Sequence, residues 1–273
     1  MVIKMKKRKI NYFILIFRII SIIIIAICLY VLYEWHLDNK ANNSLQDDLS
    51  ELIVVDISKT PTENRDLPSI DARLNNIKDE NNISIADFNV DFDELAKMNS
   101  DSVGWVRIPN TNISYPIVQA KDNDYYLTHN IKKEKNGAGW IFADYRNNFE
   151  TLDKNTIIYG HNRRNGTMFS NLKNYLDTSY CSDENHKYIN FNTKNKKYIA
   201  EIFSVYKITS NKVTLPVNFE NEDELAQTIN DWKSSSIYNF QSDISTSDNI
   251  LTLYTCDNNT TYRILIHAKL IPI

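Results

Sequence analysis

Two residues able to act together in covalent chemistry lie in one stretch near the C-terminus. Residues 250–270 read ILTLYTCDNNTTYRILIHAKL. Two runs of β-favouring residues, 250–255 and 262–270, flank an Asp-Asn-Asn-Thr cluster of the kind that closes hairpins. The pattern predicts a β-hairpin with Cys256 at its mouth. If the turn centres on Asn258 and Asn259, Cys256 lies opposite Thr261, and Arg263 is the next residue along on the same face. A turn one residue longer puts thiol and guanidinium on opposite faces. A permanently charged, fork-shaped donor beside a thiol suits a nucleophile whose reaction develops an oxyanion. The competing reading makes Cys256 a small buried residue and Arg263 a solvated strand charge.

A second chemical signal is TIIYGHNRRNGTMF, in which His161 follows a buried-looking strand and a glycine. That context puts the ring at a strand end, where a scaffold presents catalytic groups, although a lone histidine is more often structural. The other candidates are weaker. Cys181 lies in the polar segment TSYCSDEN and reads as a free or partly buried thiol, while Cys28 falls inside an apolar run. His129 and His186 read as surface residues. His267 shares the strand parity of Arg263 and reads as structural. Asp257, beside Cys256, could bias His161 toward its charged form, or simply form the turn. No CxxC pair, HExxH or carboxylate cluster argues for a metal or other cofactor.

The elements that must position these residues are mostly strands. In DFDELAKMN, Phe92, Leu95 and Met98 recur at helical spacing and predict a short helix ending before Ser100. Eight strand-like runs follow, at 104–108, 113–119, 139–143, 156–159, 188–192, 198–208, 250–255 and 262–270. Their succession with few helices predicts a mainly β fold, a closed or nearly closed eight-stranded barrel. Two helical inserts are expected, at 168–176 and 223–234. The second lies between the sixth and seventh strands, and its Leu225, Ile229 and Trp232 share one face, so that connection should be a packed lid.

At the other end of the chain, Lys4, Lys6, Lys7, Arg8 and Lys9 precede an apolar run over residues 10–33. The run is long enough to cross a bilayer, which takes about 20 residues, and the basic flank should stay cytoplasmic. Arg18 sits near the basic end, where it can snorkel. No small residues follow Leu32 to mark a cleavage site, so the segment reads as an uncleaved transmembrane signal anchor. The expected organisation is a cytoplasmic segment 1–9, an anchor 10–33, an extracytoplasmic stalk 34–90 and a catalytic domain 91–273. Within the stalk, residues 41–57 suggest a helix and 60–69, with Pro61 and Pro68, a linker. Beyond residue 33 the chain carries 25 Lys and Arg against 34 Asp and Glu, a net charge of −9. That acidic balance gives no support for nucleic-acid binding.

Taken together, TLYTC with Arg263, YGHN around His161, WVRIPNTNISYPIVQ and DNDYYL resemble the sortases, cysteine transpeptidases of Gram-positive cell surfaces. The helix after the sixth strand is similar to that of class B. The resemblance covers residues 91–270 and implies a sortase-type barrel with Cys256 as nucleophile, His161 as general acid and base, and Arg263 as oxyanion and substrate-positioning group. It implies a substrate as well: a surface protein's C-terminal sorting signal of Asn-Pro-x-Thr or Ser-Pro-x-Thr type, cut after Thr. An amine, usually from a peptidoglycan precursor, then resolves the acyl-enzyme. Asn123, Leu127 and Tyr159 match positions of the family's substrate groove. Tyr254 stands where class B sequences often carry Ser, two residues before the cysteine, and would reshape that groove. The Cys256 to Arg263 spacing is short for the class.

Two other functions fit a membrane-anchored β domain. An L,D-transpeptidase also combines Cys, His and Arg, but expects a His-Gly pair shortly before the cysteine and an arginine two residues after it. Here Leu253, Tyr254 and Thr255 precede Cys256, and Asn258 holds the second place. A non-catalytic binding module on the same barrel would not demand all three of Cys256, His161 and Arg263.

Overall fold

The computed structural model describes residues 12–55, 88–209, 214–256 and 262–273 of the 273-residue chain. It divides into two compact units, Met1–Asn43 and Ser44–Ile273. The described residues of the first are helical. An uninterrupted helix α1, Tyr12–Ser50, starts there and is long and apolar enough to cross a membrane. Its apolar side chains, Phe17, Ile24 and Leu32 among them, are exposed all round. An aqueous surface would penalise that arrangement, whereas a lipid one favours it. The basic segment before Tyr12 lies outside the described residues.

The second unit begins with the end of α1, where Leu45 and Leu49 are buried in the barrel's core cluster. The helix expected over 41–57 stops at Ser50, and the chain turns into β1, Ile53–Val55. Antiparallel β2, Phe88–Val90, pairs with it to form a two-stranded ribbon that the sequence pattern did not signal. The proline-containing linker lies outside the described residues. Helix α2, Phe92–Met98, matches its expected span; Asp91 caps it by accepting from the amides of Asp93 and Glu94, and Leu95 is its buried residue.

Eight strands then close a barrel: β3 Ser102–Arg107, β4 Ser114–Val118, β5 Phe142–Ala143, β6 Asn155–His161, β7 Tyr188–Thr193, β8 Lys197–Thr209, β9 Ile250–Cys256 and β10 Tyr262–Pro272. Their order round the barrel is β10-β8-β7-β3-β4-β5-β6-β9, closing on β10. Pairs β4/β5 and β6/β9 are parallel and the others antiparallel. Side chains alternate between two cores, as strand geometry requires. On β9, Leu251 and Leu253 belong to the main core with Trp105, Tyr115, Trp140 and Phe191, while Ile250 and Tyr254 belong to a second one.

That second core lies under helix α4, Glu222–Ser235, in the β8–β9 connection, which is the expected connection between the sixth and seventh barrel strands. Asn221 caps α4 by accepting from the Glu224 amide, and its buried residues are Leu225, Ile229 and Trp232. They pack on Phe203, Tyr206, Leu215, Tyr254 and Leu265, so the connection is a packed cover. The other insert is a 3₁₀ helix, Ser170–Leu176, followed by a short helix α3, Thr178–Ser182, that carries Cys181.

Candidate active site

Strand order explains how residues far apart in sequence meet. In the parallel β6/β9 pair, His161 is register partner of Cys256, each the last residue of its strand. On the other side of β9, Tyr254 is level with Leu265, the last pair of that ladder, two residues short of both Cys256 and Arg263. The ladder stops at Tyr254 because the Ile264 amide donates instead to the Thr255 hydroxyl, at 2.9 Å. A turn centred on Asn258 and Asn259 would set Tyr254 opposite Arg263; it lies opposite Leu265 instead, a register two residues longer. The turn itself, Asp257 included, lies outside the described residues.

His161 and Cys256 thus form one rung, and Arg263 lies on the next strand, two residues before Leu265. The rung below is Tyr159, Tyr254 and Leu265, and the next is Ile157, Thr252 and His267. Helix α4 covers these two lower rungs, whose residues Ile157, Tyr254 and Leu265 belong to its core. Tyr159 and Tyr254 meet edge to face, with ring centroids 5.3 Å apart.

His161 is almost fully buried, and its Nε2 lies 2.8 Å from the Leu127 carbonyl oxygen. A carbonyl only accepts, so Nε2 carries the proton and Nδ1 is the basic nitrogen of the neutral ring. The carbonyl is held by a 3₁₀ turn, Tyr125–Leu127, started by the Asp122 carboxylate, which accepts from the amides of Asp124 and Tyr125. Gly139, at φ +58°, lets the following chain pass close beneath this turn; a Cβ there would sit 2.6 Å from the Tyr126 oxygen. Gly160 serves the same purpose on β6, since a Cβ would come within 2.4 Å of Ile141 Cδ1. Arg263 is half-buried, and its Nη1 donates to the Tyr262 carbonyl at 3.2 Å.

The expected groove residues also join up. Leu127 supplies the carbonyl on His161. Tyr159 and Tyr254 share a rung. Asn123 reaches Tyr159 through Asp144, which no sequence signal had singled out. That carboxylate is fully buried; Oδ1 accepts from the amide and Nε of Arg146, and Oδ2 from Arg146 Nη2, Asn123 Nδ2 and the Tyr159 hydroxyl. Burial works to raise the Asp144 pKa, but the Arg146 hydrogen bonds, joined by Tyr159, outweigh it and hold the carboxyl below its usual value. The only available hint was an acidic residue and an arginine two apart, directly after the strand in FADYRN.

The remaining candidates are structural. Cys181 is buried, and its thiol donates to the Tyr175 carbonyl at 3.1 Å. His129 and His186 are not free surface residues: one stacks on Tyr125 at 4.1 Å and the other on Tyr180 at 3.6 Å. His267 is fully buried two rungs from Arg263, with its ring stacked on Trp232 of α4 at 3.9 Å. Among the described residues, no group of three or more His, Cys, Asp or Glu is placed to hold a metal ion.

Comparison with known proteins agrees with this architecture. The family described as "Sortase domain" matches residues 106–271. Sortase B of Listeria monocytogenes is 43% identical over 181 residues, covering 65% of this chain and 73% of that protein. Sortase B of Staphylococcus aureus is 38% identical over 185 residues, covering 67% of this chain and 75% of that protein. The solved Staphylococcus aureus sortase B–substrate complex superposes with a TM-score of 0.64 over 67% of this chain and 85% of that one, at 38% identity. A closed eight-stranded barrel, the helical cover on its β8–β9 connection and similarity over two-thirds of its length identify this chain as a member of the sortase family of cysteine transpeptidases, similar to sortase B.

Proposed function

We propose that this protein cuts a C-terminal sorting signal of Asn-Pro-x-Thr or Ser-Pro-x-Thr type after its Thr and transfers the surface protein to an amine. The observation that carries this reading is the pairing of His161 with Cys256 at the ends of β6 and β9, with Arg263 near the start of neighbouring β10. His161 takes the thiol proton of Cys256 at Nδ1, and the resulting thiolate attacks the Thr carbonyl carbon. Arg263 stabilises the oxyanion, and the tetrahedral species collapses to a thioester as protonated His161 gives its proton to the departing amine. In the second half, an incoming amine loses a proton to His161 and attacks the thioester carbonyl. A new amide forms and the thiolate is released. A peptidoglycan precursor is the acceptor of suitable chemistry.

Asn123, Leu127, Tyr159 and Tyr254 are the proposed peptide-binding residues, and their links to one another and to His161 support that role. Where class B sequences often carry Ser, Tyr254 is buried in the core beneath α4, so it should act on the groove through the Tyr159 ring it meets. The proposed topology has residues 1–9 in the cytoplasm, the anchor 10–33 in the cell membrane, a stalk 34–90 outside it, and a catalytic domain 91–273 that meets its substrates there. The exposed apolar sides of α1 support this placement.

The test uses the full chain in detergent micelles with a panel of fluorogenic peptides carrying these signals. Cleavage after Thr is expected, and Cys256→Ala, His161→Ala and Arg263→Ala should each lower kcat/KM by about 10³-fold or more. Cleavage that survives Cys256→Ala, or cleavage of no peptide by the wild type, would overturn the reading.

A further inference from the structure

The buried Asp144 stands at the meeting point of three chain segments that are separate in sequence. Asn123 belongs to the β4–β5 connection, Tyr159 to β6 two residues before His161, and Leu215 to the β8–β9 connection that carries α4. Asp144 Oδ2 receives Asn123 Nδ2 at 3.1 Å and the Tyr159 hydroxyl at 2.9 Å. Arg146, bonded to both carboxylate oxygens, also donates from Nη2 to the Leu215 carbonyl at 3.0 Å. Asn123 is fixed a second time, its Oδ1 accepting from the Tyr145 amide at 3.0 Å. Gln119 locks the backbone beneath by donating to the carbonyls of Asp144 and Asn147.

An ionised carboxylate held in this way dictates which way its donors point. Charge-assisted bonds are short, directional and roughly twice as strong as neutral ones. Asn123 must turn its amide nitrogen toward Asp144, which fixes its oxygen on the Tyr145 amide. Tyr159 must aim its hydroxyl at the same oxygen, which fixes the ring that meets Tyr254 and packs on Phe142 at 5.2 Å. Through Arg146 the same charge ties the β8–β9 connection, whose Leu215 packs in the core beneath α4 with Tyr254.

We infer that Asp144, with Arg146, is a positioning residue for the sorting signal, setting Asn123, Tyr159 and the β8–β9 connection in the arrangement that receives the peptide. The inference rests on the groove assignment proposed above. Asp144 touches neither the reacting carbonyl nor the thiol, so its removal should weaken peptide recognition more than the intrinsic chemistry of Cys256.

The experiment compares the full-length wild type in micelles with Asp144→Asn, Tyr159→Phe, Asn123→Ala and the double variant Asn123→Ala/Tyr159→Phe. Peptide kinetics are measured beside the rate at which a small methanethiosulfonate modifies Cys256. Asp144→Asn is expected to raise KM about tenfold, with a smaller loss in kcat and an unchanged modification rate. The two single losses in kcat/KM should multiply to more than the loss in the double variant, because both side chains act through one carboxylate oxygen. That comparison stands even if Asp144→Asn does not fold. Equal slowing of peptide cleavage and thiol modification, or fully multiplicative single losses, would overturn the inference while leaving the sortase activity intact. An inactive wild type would instead sink the groove assignment and this inference together.

Discussion

Cys181 and Cys256 are chemically alike in sequence but lie in different elements, Cys181 on α3 and Cys256 at the end of β9. Burial, helped by the charge of Asp177, pushes the Cys181 thiol up to about 11, and its hydrogen is committed to the Tyr175 carbonyl. Nucleophilicity needs the thiolate, so Cys181 should be inert at neutral pH. Cys256 ends β9 as the register partner of His161. Peptide mapping after brief treatment with a thiol reagent at pH 7 is therefore expected to find Cys256 modified at least about 100-fold faster than Cys181. Comparable labelling of the two in the folded protein would contradict this assignment. At this scale His161 and Arg263 were recognisable as candidates because each follows a strand or turn pattern. Asp144 was not, since its partners lie 2, 15 and 21 positions away and no periodicity links them. Nor does a backbone carbonyl such as that of Leu127 leave any side-chain signal.

At the scale of elements, the attachment of α4 depends on a histidine that the reaction does not use. The Thr252 hydroxyl donates to Asn155 Oδ1 at 2.6 Å, so it accepts from His267 Nδ1 at 2.8 Å. His267 Nε2 is then the acceptor for the Tyr206 hydroxyl at 3.1 Å. This chain needs a neutral imidazole, and burial pushes His267 down to about 3. A histidine whose folded pKa lies below its unfolded value of 6.5 contributes stability above that value, and the contribution is lost as pH falls toward 3. On the order of 4 kcal/mol should disappear between pH 7 and pH 3 through this residue. Denaturant unfolding monitored by Trp fluorescence should show this slope in the wild type and a shallower one in His267→Gln; equal slopes would contradict the account. Pattern reading found α4 because Leu225, Ile229 and Trp232 mark a helical face, and it found the barrel because its longer strands are rich in β-branched and aromatic residues. It could not find the ribbon of β1 and β2, whose strands are only three residues long, or show that β5 shrinks to Phe142–Ala143. Strands this short carry too few alternations to register against their polar surroundings.

For the whole molecule, topology does what local sequence cannot, since 95 residues separate His161 from Cys256 and the parallel β6/β9 pair brings them side by side. The placement of β9 between β6 and β10 then brings the strand that carries Arg263 alongside. An apolar helix at one end of the chain and a net charge of −9 over the remainder fit an enzyme held at a membrane with its acidic domain in water. The central claim is that this molecule carries its substrate covalently on Cys256 between two half-reactions. The most direct measurement is the intact mass of the full chain after brief exposure to a sorting-signal peptide without an amine acceptor, followed by digestion to locate the adduct. The account predicts a mass gain equal to the peptide acyl portion ending at Thr, carried on the fragment containing Cys256 and discharged when an amine is added. An unmodified chain during active cleavage, or an adduct on any other residue, would contradict it.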